Sequence, residues 1–365
     1  MRLCDLAPAH IRAISPYQPG KPISELAREM GLAEASIVKL ASNENPLGIG
    51  EKAREAIQAA LADIARYPDG NGFELKHALC RRYGVDMAQI VLGNGSNDVL
   101  EMVAGAFLGP DREAIYAQHA FAVYPLATQA AGARGVEVPA KNFGHDLDAM
   151  LAAITPATRV IFIANPNNPT GTFVPGPELE AFLGRVPADV LVVLDEAYTE
   201  YLDPVQRYDA IAWLQRFPNL LVSRTFSKAF GLAGLRVGYG LGSPEVIDLL
   251  NRVRQPFNVC SVGLAAAAAT LFDDAFLQRS AALNRDGMRQ LCDGFQRLGL
   301  DWIPSAGNFV TFKVGDGAGV NLRLLRQGVI VRPIGGYGMP EWLRVSIGLE
   351  SENARFLEAL PDALV

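Results

Sequence analysis

Leu191-Val-Val-Leu-Asp195-Glu-Ala-Tyr198 is an unbroken apolar run that ends on a carboxylate. A run with no polar face suits a strand covered on both sides, as in a parallel sheet between two layers of helices. Two other runs end in the same way. Val160 to Ala164 leads into Asn165-Pro-Asn-Asn168-Pro-Thr-Gly171, and Asn219 to Arg224 leads into Thr225-Phe-Ser-Lys228-Ala-Phe-Gly231. These belong to a series of seven β-rich runs separated by helical stretches: Gln89 to Gly93, Glu113 to Ala117, Gly135 to Pro139, Arg159 to Ala164, Asp189 to Asp195, Asn219 to Arg224 and Arg236 to Leu241. The alternation predicts an α/β fold with a mostly parallel seven-stranded sheet and helices on both faces. Ligands of such sheets bind beyond the carboxyl ends of the strands, where Asn168, Asp195 and Lys228 fall.

With 365 residues, the chain has material for a large domain and a smaller one. Hydrophobic residues at 50% and charged residues at 20% are ordinary for a globular protein. The net charge of -6, without a Lys/Arg run, speaks against nucleic acid as a partner. Cys4, Cys80, Cys260 and Cys292 have no CxxC spacing, and His10, His77, His119 and His145 have no ligand spacing, so no disulfide framework or metal site is expected. The cysteines read as reduced, buried thiols. No apolar stretch approaches the roughly 18 residues of a membrane span. Asp5 and His10 interrupt any signal-like segment, and a cytoplasmic location is expected. Residues 1–45 are expected to form an arm and a helix, Ile23 to Met30, packed on the small domain. Residues 46–265 are expected to form the large domain. Residues 266–365 are expected to form an α+β small domain, with strands at Asn308 to Val314 and Leu343 to Ile347 and a helix around Val320 to Gln327.

A lysine after a strand is ordinarily a solvated charge, and Asn-Pro and Pro-Thr-Gly are ordinarily turns. Their company changes both readings. A lysine for a Schiff base, Asp195 for a pyridinium nitrogen, and Asn168 with Tyr198 for a ring hydroxyl together describe a pyridoxal phosphate (PLP) site. A carboxylate at a buried strand end keeps the ring nitrogen charged. Lys228, as general base and acid, needs a neutral amine, which burial supplies. The phosphate finds donors in Gly93-Asn-Gly95-Ser96-Asn97-Asp98, between a strand and a helix running on through Leu108. Asp98 stands where a dinucleotide fingerprint would have its third glycine. Arg236, Thr225 and Ser227 are further candidates for the phosphate, and Phe121 or Tyr124 for an aromatic lid.

Ser223 to Gly240 around Lys228, Leu-Asp-Glu-Ala-Tyr around Asp195, Asn-Pro-Asn-Asn-Pro-Thr-Gly, and Leu40 to Gly48 (LASNENPLG) together resemble a fold-type I aminotransferase of the histidinol-phosphate aminotransferase family. The likeness runs from Tyr17 to the final helix. It implies that Lys228 is joined to the cofactor, Asp195 pairs with the pyridinium, and Asn168 and Tyr198 bind the ring hydroxyl. Phe121 would stack on the ring, while Ser96, Asn97, Thr225, Ser227 and Arg236 would hold the phosphate. It further implies a homodimer with shared sites, in which Tyr67 reaches the neighbouring subunit's cofactor.

For the substrate, the resemblance implies that Arg344 holds an anion, with Arg332 as a second phosphate contact and Tyr17 and Asn43 closing the pocket. A guanidinium accepts carboxylate or phosphate bidentately, so Arg344 can serve both glutamate and a phosphorylated amino alcohol. His119-Ala-Phe-Ala-Val-Tyr124 departs from many relatives, which have proline and tyrosine where this chain has histidine and phenylalanine. The expected reaction is ping-pong transamination between L-histidinol phosphate and 2-oxoglutarate. The rivals are an aromatic amino-acid aminotransferase and a decarboxylase of a phosphorylated amino acid.

Overall fold

The computed structural model describes residues 2–17 and 19–365. Seven strands form the large sheet: β1 (Ile90–Gly93), β2 (Glu113–Ala117), β3 (Arg134–Val138), β4 (Thr158–Ala164), β5 (Leu191–Asp195), β6 (Leu220–Thr225) and β7 (Gly238–Gly242). Their order is β1-β7-β6-β5-β4-β2-β3, with only β7 antiparallel to its neighbours. All seven expected runs are strands, with ends displaced by at most two residues and Glu113–Ala117 matching at both.

The unbroken apolar character of β4 and β5 follows from their position. Alternate side chains of a strand point to opposite faces. Val160 and Phe162 of β4 and Val193 of β5 enter one core cluster; Ile161 and Ile163 of β4 and Val192 and Leu194 of β5 enter the other. Both faces are therefore dry, and the strands' polar ends emerge only at the carboxyl edge, where β5 finishes on Asp195 and β6 on Thr225.

Helix Ser261–Thr270 packs Leu264, Ala266 and Ala267 into the large-sheet core, and the chain runs on past Phe272 and Asp273. It continues as α1 (Asp274–Leu298). A four-stranded antiparallel sheet follows, built from β8 (Trp302–Ile303), β9 (Phe309–Lys313), β10 (Arg332–Pro333) and β11 (Trp342–Ser346) in the order β10-β11-β9-β8. Phe295 of α1 and Phe312 of β9 stack in its core, with Phe356 edge-on to both. Val38 and Lys39 pair in parallel with Val329 and Ile330, and Leu26 of the helix Ile23–Met30 is buried with Leu325 and Ile330. The N-terminal segment thus contributes core. The four cysteines are free, but Cys4 and Cys260 are exposed, because neither lies on an element facing a core.

Candidate active site

The carboxyl edge of the large sheet and the Arg332–Arg344 end of the small sheet enclose a cavity of about 360 Å³. Asp195 lies at its floor, 5% exposed. Its Oδ2 accepts a 2.9 Å bond from the Tyr124 hydroxyl, while Oδ1 is buried without a partner. Burial pushes its carboxyl up to about 6, against the pull of the Tyr124 hydrogen bond. Tyr124 is no lid. Its ring stacks on Phe162 at 4.8 Å inside the core, and Phe121 lines the cavity instead.

Lys228 sits in the loop after β6 and donates to the Ser42 carbonyl at 3.2 Å. Burial, then the nearby Arg344 charge, holds its amine down to about 8. Tyr198 packs beside it, its ring centre 5.8 Å from Nζ, and accepts at its hydroxyl from Asn43 Nδ2 at 3.0 Å. Burial pushes the Tyr198 phenol up to about 12. Asn43 is locked by Ser346, whose hydroxyl accepts from its backbone N–H at 2.8 Å, and by Asn308, which donates to its carbonyl at 3.0 Å.

Helix Ser96–Phe107 points its N-terminus, with Ser96 and Asn97, into the cavity beside Thr225, Ser227 and Arg236. The approach is close. A Cβ on Gly95, whose φ is +82°, would lie 2.4 Å from Arg236 Nη2, and one on Gly238 would lie 2.3 Å from the Ser96 backbone nitrogen. Arg236 donates to Ser227 Oγ at 3.3 Å. Asp98 points away, accepting from the Asn94 backbone N–H and from Asn258, which explains why no glycine is needed there.

On the opposite wall, Arg344 donates to Asn168 Oδ1 at 2.5 Å and to the Ala41 carbonyl at 2.7 Å, leaving a buried Nε without a partner. Arg332 faces Arg344 across β10 and β11 and lies over the Tyr17 ring at 5.4 Å. Every site residue expected from the sequence lines this cavity except Tyr67, which is 83% exposed and stacks on Phe257 at 4.8 Å.

Sequence reasoning missed the Ser42 carbonyl, the Tyr124–Asp195 bond and Tyr337, which also lines the cavity. A backbone carbonyl leaves no sequence signal, and Tyr124 stood only as a candidate lid beside Phe121.

The residues present fit the cofactor expected from the sequence. A buried carboxylate oxygen awaits a proton donor, a helix N-terminus and a guanidinium share a glycine-lined anion cradle, and the one lysine in the cavity is held toward its neutral form.

A sequence profile of aminotransferase class I and II matches residues 35–360. Histidinol-phosphate aminotransferase 1 of Thiobacillus denitrificans is 66% identical over 358 residues, covering 98% of this chain and 93% of that one. This chain belongs to the histidinol-phosphate aminotransferase family. Histidinol-phosphate aminotransferase 1 of Dechloromonas aromatica is 64% identical over 364 residues, with both proteins covered in full. A solved structure of the family, histidinol-phosphate aminotransferase from Sinorhizobium meliloti in complex with pyridoxal-5'-phosphate, superposes with a TM-score of 0.90 at 28% identity, covering 98% of this chain and 96% of that one. The fold is accordingly that of a fold-type I aminotransferase.

Proposed function

We propose that the protein is a PLP-dependent transaminase that moves the amino group of L-histidinol phosphate to 2-oxoglutarate, giving imidazole acetol phosphate and L-glutamate, in histidine biosynthesis. Kinship at 66% identity over nearly the whole chain supports the reaction. The observation that carries the substrate is the Arg332–Arg344 pair. Opposed residues of an antiparallel pair share one face, so two guanidiniums meet one ligand, as a phosphate dianion requires.

When bound, PLP supplies an electron sink that makes the substrate Cα proton labile. Asp195 would hold the proton of the ring nitrogen, where its raised carboxyl would find the positive charge that burial otherwise denies it. Ser96, Asn97, Thr225, Ser227 and Arg236 would hold the cofactor phosphate, and Tyr198, Asn168 and Phe121 would orient the ring. Lys228 Nζ, lowered by burial, takes the Cα proton and returns it. Arg344 trades its bond with Asn168 for the substrate anion, and Tyr17 and Asn43 close the pocket.

We further assign a homodimer in which Tyr67 serves the adjoining subunit's site. Its exposed ring, away from its own cavity, supports this, as do the exposed Leu61, Ile64, Phe73 and Phe257 around it. A cytoplasmic location accords with the chemistry; among the described residues no helix is long and apolar enough to cross a membrane.

The deciding measurement is kcat/KM for L-histidinol phosphate against L-phenylalanine and L-tyrosine with 2-oxoglutarate. A preference of at least about a hundredfold for the phosphorylated substrate is expected, since buried charged groups left unpaired penalise an analogue heavily. Equal or better use of the aromatic amino acids would make the protein an aromatic transaminase.

A further inference from the structure

His119 takes no part in the chemistry above and does not line the cavity, yet it joins the two walls of the site. It lies two residues past the end of β2, with a φ of +60°, a left-handed conformation unusual for a residue with a Cβ. Asn167 Nδ2 holds it there by donating to the His119 carbonyl at 3.1 Å. The ring then reaches across to the small sheet, where Nδ1 lies 2.5 Å from the Tyr337 carbonyl. A carbonyl only accepts, so Nδ1 carries the proton.

The segment that begins at His119 and carries Phe121 therefore fixes Tyr337 by its backbone carbonyl. Tyr337 in turn ends the short turn Gly335–Tyr337 that connects β10, with Arg332, to β11, with Arg344. A second contact reinforces the junction. Phe143, also left-handed at φ +63°, sets its ring edge-on to Trp342 at 5.3 Å.

We propose that His119 is a positioning residue for the substrate: its Nδ1–H bond to the Tyr337 carbonyl fixes the Tyr337 turn, and with it the two arginines, against the Phe121 segment, so affinity for a phosphorylated amine depends on a side chain that touches neither substrate nor cofactor. The proposal rests on the substrate reading above, and its test separates the two.

The informative pair is His119→Asn and His119→Asp. Both side chains tolerate a left-handed backbone and are the same size, but only asparagine can donate where Nδ1 stood. In the cofactor-loaded dimer, H119N is expected to keep KM for L-histidinol phosphate within about threefold of wild type, while H119D raises it about tenfold or more, as loss of a donor and a new repulsion require. In both, kcat and cofactor affinity stay within about threefold, a split that general misfolding does not produce. Amide hydrogen exchange across 335–339 should be faster in H119D by about fivefold and near wild type in H119N.

Equal KM values in the two variants, a fall in kcat alone, or unchanged exchange in H119D would each overturn the proposal. If the wild type does not turn over L-histidinol phosphate, the substrate reading falls, and the exchange comparison still decides the role of His119.

Discussion

Lys228 and Asp195 are pushed toward their neutral forms by the same burial, and each then depends on its surroundings for charge. For Lys228 this gives a direct expectation. Competitive labelling of the cofactor-free protein with an amine reagent should show Nζ titrating near 8, well below its ordinary 10.5. Titration near 10.5 would mean that the site is wet and the base role loses its support. Lys228→Ala should abolish turnover, reducing kcat by about a thousandfold or more, because nucleophile and base are lost together.

For Asp195 the consequence is stability. Its folded-state value of about 6 lies above the ordinary 3.8, so the folded protein retains a proton that the unfolded chain has released. Below the unfolded value both states are protonated and nothing is lost; above about 6 the cofactor-free fold carries a buried charge costing about 3 kcal/mol. Asp195→Asn should therefore raise the melting temperature of cofactor-free protein at pH 8, with the advantage vanishing as pH falls from 6 toward 4. A constant difference across that range would assign the gain to packing. The same variant should bind cofactor yet lower kcat steeply.

These residues were legible because each stands at the end of a strand whose apolar run announces it. Their partners were not. Tyr124 meets Asp195 across 71 positions and Arg344 meets Asn168 across 176, and no local pattern records either meeting.

At the scale of elements, β5 and β6 are tied just past Asp195. Arg224 donates from Nε and Nη2 to Glu196 Oε2 at 2.9 and 2.7 Å, with Glu196 fully shielded from solvent. Removing one partner from such a pair strands the other. Arg224→Met is expected to cost about 3–5 kcal/mol by urea denaturation, and Glu196→Gln added to it should recover a substantial part. Additive losses in the double variant would show that the two charges act separately. A similar argument applies to β7, where Gly238 presses on the first turn of helix Ser96–Phe107. The neighbour is backbone and cannot swing aside, so Gly238→Ala should weaken cofactor binding about tenfold and destabilise the fold by about 1–3 kcal/mol. Cofactor titration with a normal dissociation constant would contradict the close-approach account. Strand existence was legible from apolar runs, while strand order was not, since the pairing of β1 with β7 joins segments about 150 residues apart.

For the whole molecule, the proposed sharing of sites between two subunits predicts complementation. Lys228→Ala and Tyr67→Ala homodimers should each be impaired, yet hybrids formed by co-expression contain one site with both wild-type residues. Random pairing should restore about a quarter of wild-type activity. Recovery no greater than the sum of the two parents would show that Tyr67 serves no neighbouring site. The sequence indicated this arrangement only through family likeness, because an exposed tyrosine in a turn carries no mark of the surface it will meet.

The lock on Asn43 has a temporal side. Ser346 and Asn308, which hold it, lie 303 and 265 positions further along the chain. During translation the large sheet has all seven strands once Gly242 has left the ribosome, but Asn43 waits for almost everything that follows. The adjoining Ser42 carbonyl, against which Lys228 rests, cannot be set sooner. A nascent chain could thus have its large sheet folded and still be inert, and activity would switch on only once Ser346 has been made and has reached Asn43.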